Sequence, residues 1–192
     1  MVTNPVIEAI KSRRSIRSYE ERSLSESAIQ TMLEAATYAP SAINVQPWKF
    51  TIITNKEKIK LYSDMAKPAM LQTLPDVEDE NLARFRANLT NPNYNIFYNA
   101  PLLIFISGVK SPYAIHDCSM AAQNMMLTAC SLGIGSCWIG MAMRAANSPL
   151  GKEELGVPGD HQVYAALVFG YPKGGFPEAP EKQPPGILKR ID

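Results

Sequence analysis

The sequence predicts an α+β fold with about four strands, several longer helices and an extended C-terminal arm. Two continuous apolar runs, 101–108 (PLLIFISG) and 162–169 (QVYAALVF), are typical of strands that are buried on both faces. The β-branched, alternating segment 48–54 and the apolar segment 136–141 predict two more strands. Residues 173–192 are rich in proline and carry too little apolar content to fold alone, which predicts the arm.

Helices are predicted between these strands. Asn4 and Pro5 supply a cap and a first-turn proline for a short first helix. Ser25 begins a second, amphipathic helix that stops before Pro40. Further helices are predicted at 56–66, 113–132 and 149–156. The apolar stripe of the longest one consists of Ile115, Ala122, Met125, Met126, Ala129 and Leu132. The polar, Asn-rich segment 72–99 is interpreted as a helical excursion with a loop.

The length and the net charge of the chain limit the functions that it can have. With 192 residues, of which 46% are hydrophobic, the chain can form one domain with a sizeable core. We assign this domain to 1–172 and the arm to 173–192. A formal net charge of +1 gives no broad cationic field, which argues against nucleic acid and against an anionic membrane surface as partners. An anionic ligand must therefore be held by a few well-placed cations.

Neither a metal site nor a targeting segment is predicted. Cys118, Cys130 and Cys137 form no C-x-x-C pair, and neither His116 nor His161 stands at metal-ligand spacing from them. We therefore interpret the thiols as buried packing groups and the histidines as structural or exposed. The N-terminus lacks an apolar signal region, and no stretch approaches the roughly 20 apolar residues of a membrane helix. The cytoplasm is the expected location.

A cationic cluster follows the first predicted helix. Arg13, Arg14 and Arg17 stand within five residues, with the Ser15 hydroxyl among them. Guanidinium groups bind phosphate and other planar anions bidentately, and a hydroxyl adds a neutral donor. A solvated basic turn would explain the same residues, so the cluster alone leaves both interpretations open.

Two further segments could line a ligand. The loop 40–48 (PSAINVQPW) carries amide side chains between two prolines, suited to a ring edge with both donors and acceptors, although a plain connector explains it equally well. The segment 133–140 (GIGSCWIG) follows a helix and enters a strand, which is the reverse of the dinucleotide-binding context and excludes that motif. Gly140 would instead allow close approach of a flat ligand and offer a backbone N–H.

Five ordered segments together resemble the nitroreductase family of FMN-dependent enzymes. They are KSRRSIRSYE, LEAATYAPSAINVQPWKF, NAPLLIFIS, AAQNMMLTACSLGIGSCWIG and LVFGYP, and they run through most of the chain. The resemblance implies an α+β sandwich in which helices wrap a mixed central sheet, an intertwined homodimer, and an FMN bound at each of two sites on the interface.

The resemblance also implies roles for particular residues. Arg13, Arg14, Ser15 and Arg17 would hold the FMN phosphate, the ribityl chain and the pyrimidine edge. The partner subunit's copy of the loop would reach the same flavin through Pro40, Ser41, Ala42, Asn44 and Gln46. Cys137, Trp138, Ile139 and Gly140 would line the ring. Lys182 would contact the phosphate, with Lys189 and Arg190 as alternatives, and the arm would cross onto the partner.

The implied activity is hydride transfer from NADH or NADPH, through FMN, to a nitroaromatic, a quinone or a similar electrophile by a ping-pong mechanism. No catalytic side chain is then required, because the cofactor carries the chemistry. Two alternatives stay open: a specialised enzyme of the same fold that dehalogenates or degrades flavin, with 72–99 as its lid, and an FMN-binding carrier or sensor without turnover.

Overall fold

The computed structural model describes residues 3–77 and 79–191, and in these ranges helices pack on both faces of a four-stranded sheet. The strands are β1 (Lys49–Ile53), β2 (Leu102–Val109), β3 (Gly135–Trp138) and β4 (His161–Gly170). The helices are α1 (Pro5–Ser12), α2 (Glu26–Thr37), α3 (Lys56–Leu71), α4 (Glu80–Thr90), α5 (Ala114–Ser131), α6 (Met143–Ala146) and α7 (Pro149–Leu155). The predicted fold class is thereby confirmed.

The strand order is β1-β2-β4-β3, so β1 and β3 form the two edges of the sheet. All three strand pairs are antiparallel. The sequence predicts a sheet that mixes parallel and antiparallel pairing. Within the described residues, the parallel pairing consists of one isolated bridge between Ser15 and Ser136. The reason is that the segment after α1 lies beside β3 without forming a strand of its own.

Most predicted elements are confirmed, and the differences lie at their ends. β3 stops at Trp138 rather than at 141, because the chain then enters a 3₁₀ turn at Gly140–Ala142. α3 continues past 66 to Leu71 and contains Pro68. Helix α4 supplies the helical part of the 72–99 excursion. Asn4 and Ser25 cap α1 and α2 as predicted, by accepting the backbone N–H groups of Ile7 and Ala28.

Two apolar clusters lie on opposite sides of the sheet because strand residues alternate. Leu103 and Phe105 of β2 join one cluster with Ile59 of α3, whereas Ile104 and Ile106 join the other. Helices α2 and α5 cover this second face through Met32, Ala36, Ala121, Ala122, Met125 and Ala129. The result is a three-layer sandwich with the sheet at its centre.

Several apolar side chains are left outside this core. Ile115 of the predicted α5 stripe is 51% exposed and Leu132 is 44% exposed, so the stripe is narrower than predicted. Helix α1 has no buried residue. Residues 173–191 are exposed and carry no regular secondary structure. No helix in the described ranges is long and apolar enough to cross a membrane.

Candidate functional site

The cationic cluster lies along the edge of the sheet, against β3. The Ile16 N–H donates to the Ser136 carbonyl at 2.9 Å, and the Ile16 side chain is buried. A Cβ at Gly135 would stand 2.6 Å from Ile16 Cγ1, so only glycine permits this approach. Burial of Ile16 leaves its neighbours Ser15 and Arg17 exposed at the surface.

The three guanidinium groups are engaged to different degrees. Arg14 Nη1 donates to the backbone carbonyls of Lys11 and Arg13, both at 2.6 Å, while its buried Nε lacks a partner in the described structure. Arg17 Nη1 donates to the Ser15 carbonyl at 3.3 Å. For the Arg13 guanidinium, no hydrogen bond is found among the described residues. The half-buried Arg13 is therefore the cation of this cluster most available to an anion.

The C-terminal arm closes a cavity of about 750 Å³ over this cluster. Residues 177–180 and Lys182 form one wall of it, and the cationic cluster forms the other. Lys182 thus lines the same cavity as Arg13, Arg14, Ser15 and Arg17, whereas the alternatives Lys189 and Arg190 are not among the lining residues. Glu178 is the acidic group that faces these cations.

Cys137 lies under the same cluster. Burial raises the pKa of its thiol, and the positive charges of Arg17 and Arg13, together with the Ser15 hydroxyl, oppose that rise. These influences act over short distances, so Cys137 is a near neighbour of the cations. The thiol is buried, which agrees with a packing group, whereas Cys130 is only half-buried and lies 3.5 Å from the Ser12 hydroxyl.

The residues after Cys137 differ in what they can offer a ligand. Ile139 is buried and its N–H donates to the Ala166 carbonyl at 2.8 Å, so its side chain and its backbone donor are used inside the fold. Trp138 is half-buried, and Gly140 is exposed. A Cβ at Gly140 would meet no atom within 4 Å, so the chain itself leaves this space open.

Two tyrosines that sequence reasoning did not select also belong to this neighbourhood. Burial raises the pKa of Tyr94, a nearby Tyr98 adds to the rise, and the charge of Arg17 lowers it. Tyr98 also acts on the buried Tyr19, whose pKa burial raises. The two tyrosines lie in an Asn-rich stretch of turns, and only the fold brings Tyr94 near Arg17. In the described ranges, no group of three or more His, Cys, Asp or Glu residues could hold a metal ion.

The loop from Ser41 to Gln46 has an unusual backbone. Ile43 (φ 44°), Asn44 (φ 58°) and Gln46 (φ 48°) all lie in the left-handed region. This conformation is uncommon for any residue but glycine and is an outlier for a β-branched one. The Ser41 hydroxyl accepts the Gln46 N–H at 3.0 Å, and Gln46 Nε2 donates to Asn44 Oδ1 at 3.0 Å.

Both ends of this loop are fixed to the core. Asp117 Oδ1 accepts the Ala42 N–H at 3.2 Å. A Cβ at Gly108 would stand 3.1 Å from the Pro47 carbonyl oxygen, so Pro47 lies directly against β2. Beside the loop is a cavity of about 520 Å³ with mostly apolar walls, lined by Ala42, Ile43, Val45, Pro47, Val109, Ser111 and Tyr113.

The loop and the cationic cluster lie at opposite corners of the sheet. The cluster flanks β3 and the loop leads into β1, which are three strand spacings apart, or about 14 Å. Cys137 of β3 and Leu103 of β2 both pair with Val168 of β4, so they lie at the same height in the sheet. The loop packs at Gly108, five residues further along β2, or about 17 Å. Within one chain, the cationic cluster therefore lies near residues 137–140 and Lys182. The predicted loop residues do not join them; these are Pro40, Ser41, Ala42, Asn44 and Gln46.

Comparisons with known proteins agree with one another. The sequence profile of the Nitroreductase family matches residues 10–171. A protein of Archaeoglobus fulgidus, provisionally named an NADH dehydrogenase/NAD(P)H nitroreductase, is 32% identical over 186 residues and 96% of each chain. A nitrobenzene nitroreductase of Ectopseudomonas oleovorans is 27% identical over 93% of this chain and 92% of its own. The crystal structure of an FMN-bound nitroreductase from Bacteroides fragilis matches with a TM-score of 0.83 at 32% identity, over 99% of this chain and 100% of that one.

Proposed function

The chain belongs to the nitroreductase family, and on that premise we propose that it is an FMN-dependent oxidoreductase that uses NADH or NADPH to reduce a small electrophile. The observation that carries the proposal is the cavity of about 750 Å³ in which Arg13, Arg14, Ser15, Arg17 and Lys182 converge. With Lys11, which lines the same opening, five cations surround it in a chain whose net charge is only +1, and this indicates an anionic ligand.

The residues present fit FMN. The buried Arg14 Nε lacks a partner in the described structure, and Arg13 has a guanidinium without an internal acceptor, so both can donate to phosphate oxygens. Ser136 Oγ is a further buried polar atom without a partner, next to Ser15 on the parallel bridge. The open space at Gly140 is suited to the close approach of a flat ring.

When bound, FMN would supply the hydride chemistry, accepting from the nicotinamide and reducing the acceptor in turn. The protein residues bind and orient. Arg13, Arg14 and Lys182 would hold the phosphate, and Arg17 would place a positive charge where a reduced flavin is negative, which favours reduction. Donor and acceptor would use one open face alternately, which is a ping-pong mechanism. The Cys137 thiol stays protonated at neutral pH, because burial raises its pKa, and takes no part.

We propose that the working unit is a homodimer. The loop at one corner of the sheet cannot reach the cationic cluster of its own chain, since the two are separated by about 14 Å across the sheet and about 17 Å along it. A two-fold axis would bring the loop of one protomer to the cluster of its partner, twice. The apolar cavity beside the loop and the nearly fully exposed Ile43 support this association.

The arm is part of the same proposal. Its apolar residues Ile187, Leu188 and Ile191 are all more than 60% exposed in the single chain, and packing on the partner would bury them. A chain ending at Phe176 should form a weaker dimer in sedimentation and should also lose FMN, because the Lys182 wall is missing. An unchanged dimer would show that the arm stays with its own chain.

The acceptor we favour is a nitroaromatic or a quinone. One relative is named for nitrobenzene, and an open stacking site discriminates weakly among flat electrophiles. Helix α4 stands in the segment that could instead serve as the lid of a more specialised enzyme. Turnover with nitrobenzene, a benzoquinone and an iodinated phenol would separate these outcomes.

The first test is the absorbance spectrum of the purified protein, followed by anaerobic addition of NADH and then NADPH. Flavin bands that bleach would establish the cofactor and the reductive half-reaction together. Bands that persist with both donors would indicate a flavin carrier rather than this enzyme. A colourless protein that cannot be reconstituted with FMN would overturn the proposal.

A further inference from the structure

We propose that Asp117 is a positioning residue of the cofactor site, acting in trans: it fixes the loop Ser41–Gln46 of its own protomer in the strained conformation that the partner's FMN contacts. The inference rests on the proposed function. It assigns a task to a buried charge on α5 that neither hydride transfer nor phosphate binding requires.

The surroundings of Asp117 point to the loop. Its side chain is 2% exposed in the first turn of α5, Oδ1 accepts the Ala42 N–H at 3.2 Å, and Oδ2 is a buried atom without a partner in the described structure. A buried carboxylate with one unpaired oxygen is costly, and the helix N-terminus compensates only part of that cost. If packing were its only role, an apolar side chain would do the same at lower cost.

The loop needs such an anchor. Three of its residues, Ile43, Asn44 and Gln46, hold positive φ angles, and a backbone of this kind persists only when its surroundings over-determine it. The Asp117 bond acts on Ala42, immediately before the first strained residue. At the other end, Pro47 is pressed against Gly108. The strained segment is therefore clamped at both ends.

The clamped conformation fixes the polar groups that the loop presents. Because Gln46 Nε2 donates to Asn44 Oδ1, the two side chains are held together, and the Asn44 Nδ2 donor and the Gln46 Oε1 acceptor remain for a ligand. Both side chains are exposed in the single chain, so they are free to contact a partner's ligand. Release of Ala42 would let the loop relax and separate these groups.

The first experiment compares FMN dissociation constants, measured by flavin fluorescence, for Asp117→Ala and Asp117→Asn. We expect Asp117→Ala to weaken FMN binding by about tenfold, because a bond to a charged acceptor is lost. Asn keeps an acceptor oxygen, so Asp117→Asn should recover most of the affinity. The matched control is Asn124→Ala on the same helix, which removes a side-chain bond to the Ala35 carbonyl and should lower thermal stability without changing FMN affinity.

A second variant removes the donor instead of the acceptor. Ala42→Pro removes that N–H, and Ser41 at φ −140° and ψ 154° already has the backbone that precedes proline. It should weaken FMN binding about as much as Asp117→Ala. The double variant should bind no worse than either single variant, since both break one bond. Additive losses would overturn the proposal, and so would unchanged affinity in Asp117→Ala.

Mixed dimers test the action in trans. Co-expression with two affinity tags isolates dimers that pair an Arg13→Ala chain with an Asp117→Ala chain; these should regain one site of wild-type affinity. Dimers that pair the Arg13→Ala/Asp117→Ala chain with a wild-type chain should regain none. The reverse pattern would show that the loop serves its own protomer. A wild-type protein that binds no FMN would defeat the proposed function itself, which is a different result from equal binding by wild type and Asp117→Ala.

Discussion

The cationic cluster at one corner of the sheet and the loop at the opposite corner present their polar groups by different means. At the cluster, long side chains of Arg13, Arg14 and Arg17 reach a shared opening from a segment held by one backbone bridge. At the loop, short side chains depend on a strained backbone that is clamped by Asp117 and Pro47. Ligand binding at the first corner depends on charge, and ligand binding at the second corner depends on backbone geometry.

This difference explains why the two corners should tolerate change differently. A guanidinium can adjust over several torsions, so the loss of one cation leaves the others in place. A strained loop cannot adjust in this way, because its polar groups are aligned only in one backbone conformation. Mutations at the cluster should therefore act in graded steps, whereas those at the loop should act on binding and association together.

The largest expected effect comes from Ile43→Asp. Ile43 is 96% exposed in the single chain, so the fold should be unaffected, whereas a dimer that buries it would lose about 1.5–3 kcal/mol at each of two equivalent positions. Dimer dissociation measured by sedimentation should weaken by about a hundredfold or more. Leu150→Asp, at another exposed apolar position on α7, is the control. Unchanged association for Ile43→Asp would place the interface elsewhere.

Arg13→Ala should have the next largest effect. It removes a charged donor with no internal partner among the described residues, worth about 1.5–3 kcal/mol, so FMN should bind about 10- to 100-fold more weakly. Flavin content of the purified protein and titration with FMN measure it. Arg84→Ala, an exposed arginine on α4, should leave FMN content as in the wild type.

Lys182→Ala should produce a smaller loss. The side chain is exposed, and such a cation contributes up to about 1 kcal/mol, or roughly fivefold in FMN affinity at low salt. Lys189→Ala and Arg190→Ala should leave the affinity unchanged, because neither residue lines the cavity. A larger loss from either of these two would reassign the phosphate contact on the arm.

The last prediction separates the two corners by the pH dependence of the stability that their thiols contribute. Burial raises the pKa of Cys118 from 9.0 to about 12, and the Asp117 charge adds to the rise. Unfolding then releases a proton above pH 9, so the stability contributed by this thiol falls as pH increases from about 9 to 12, by at most about 1.4 kcal/mol per pH unit. Thermal melts should show the advantage of wild type over Cys118→Ala shrinking above pH 9.

Cys137→Ala is the matched comparison. Burial raises that thiol's pKa too, but the Arg17 and Arg13 charges oppose the rise, so the corresponding loss above pH 9 should be smaller. Equal pH dependence for the two variants would contradict the assignment of opposite charge environments to the two corners.

The sequence by itself determined most of the helices and strands and the position of the cationic cluster along the chain. Continuous apolar runs predicted β2 and β4, caps at Asn4 and Ser25 predicted the starts of α1 and α2, and residue type alone predicted the cationic cluster. These features succeed because periodicity, capping and charge are local properties of the chain. The sequence pattern does not predict the 3₁₀ turn that shortens β3. The end of β3 depends on where its pairing with β4 ends, and this pairing is not a local property of the chain.

Only the tertiary structure decided how these parts are arranged. Strand order put the loop and the cluster at opposite corners, the arm carried Lys182 rather than Lys189 or Arg190 to the cavity, and α5 brought Asp117 under the loop. Tyr94 reached the neighbourhood of Arg17 in the same way. The physical reason is common to all of them: each contact joins residues far apart in sequence, and their proximity depends on how the layers pack.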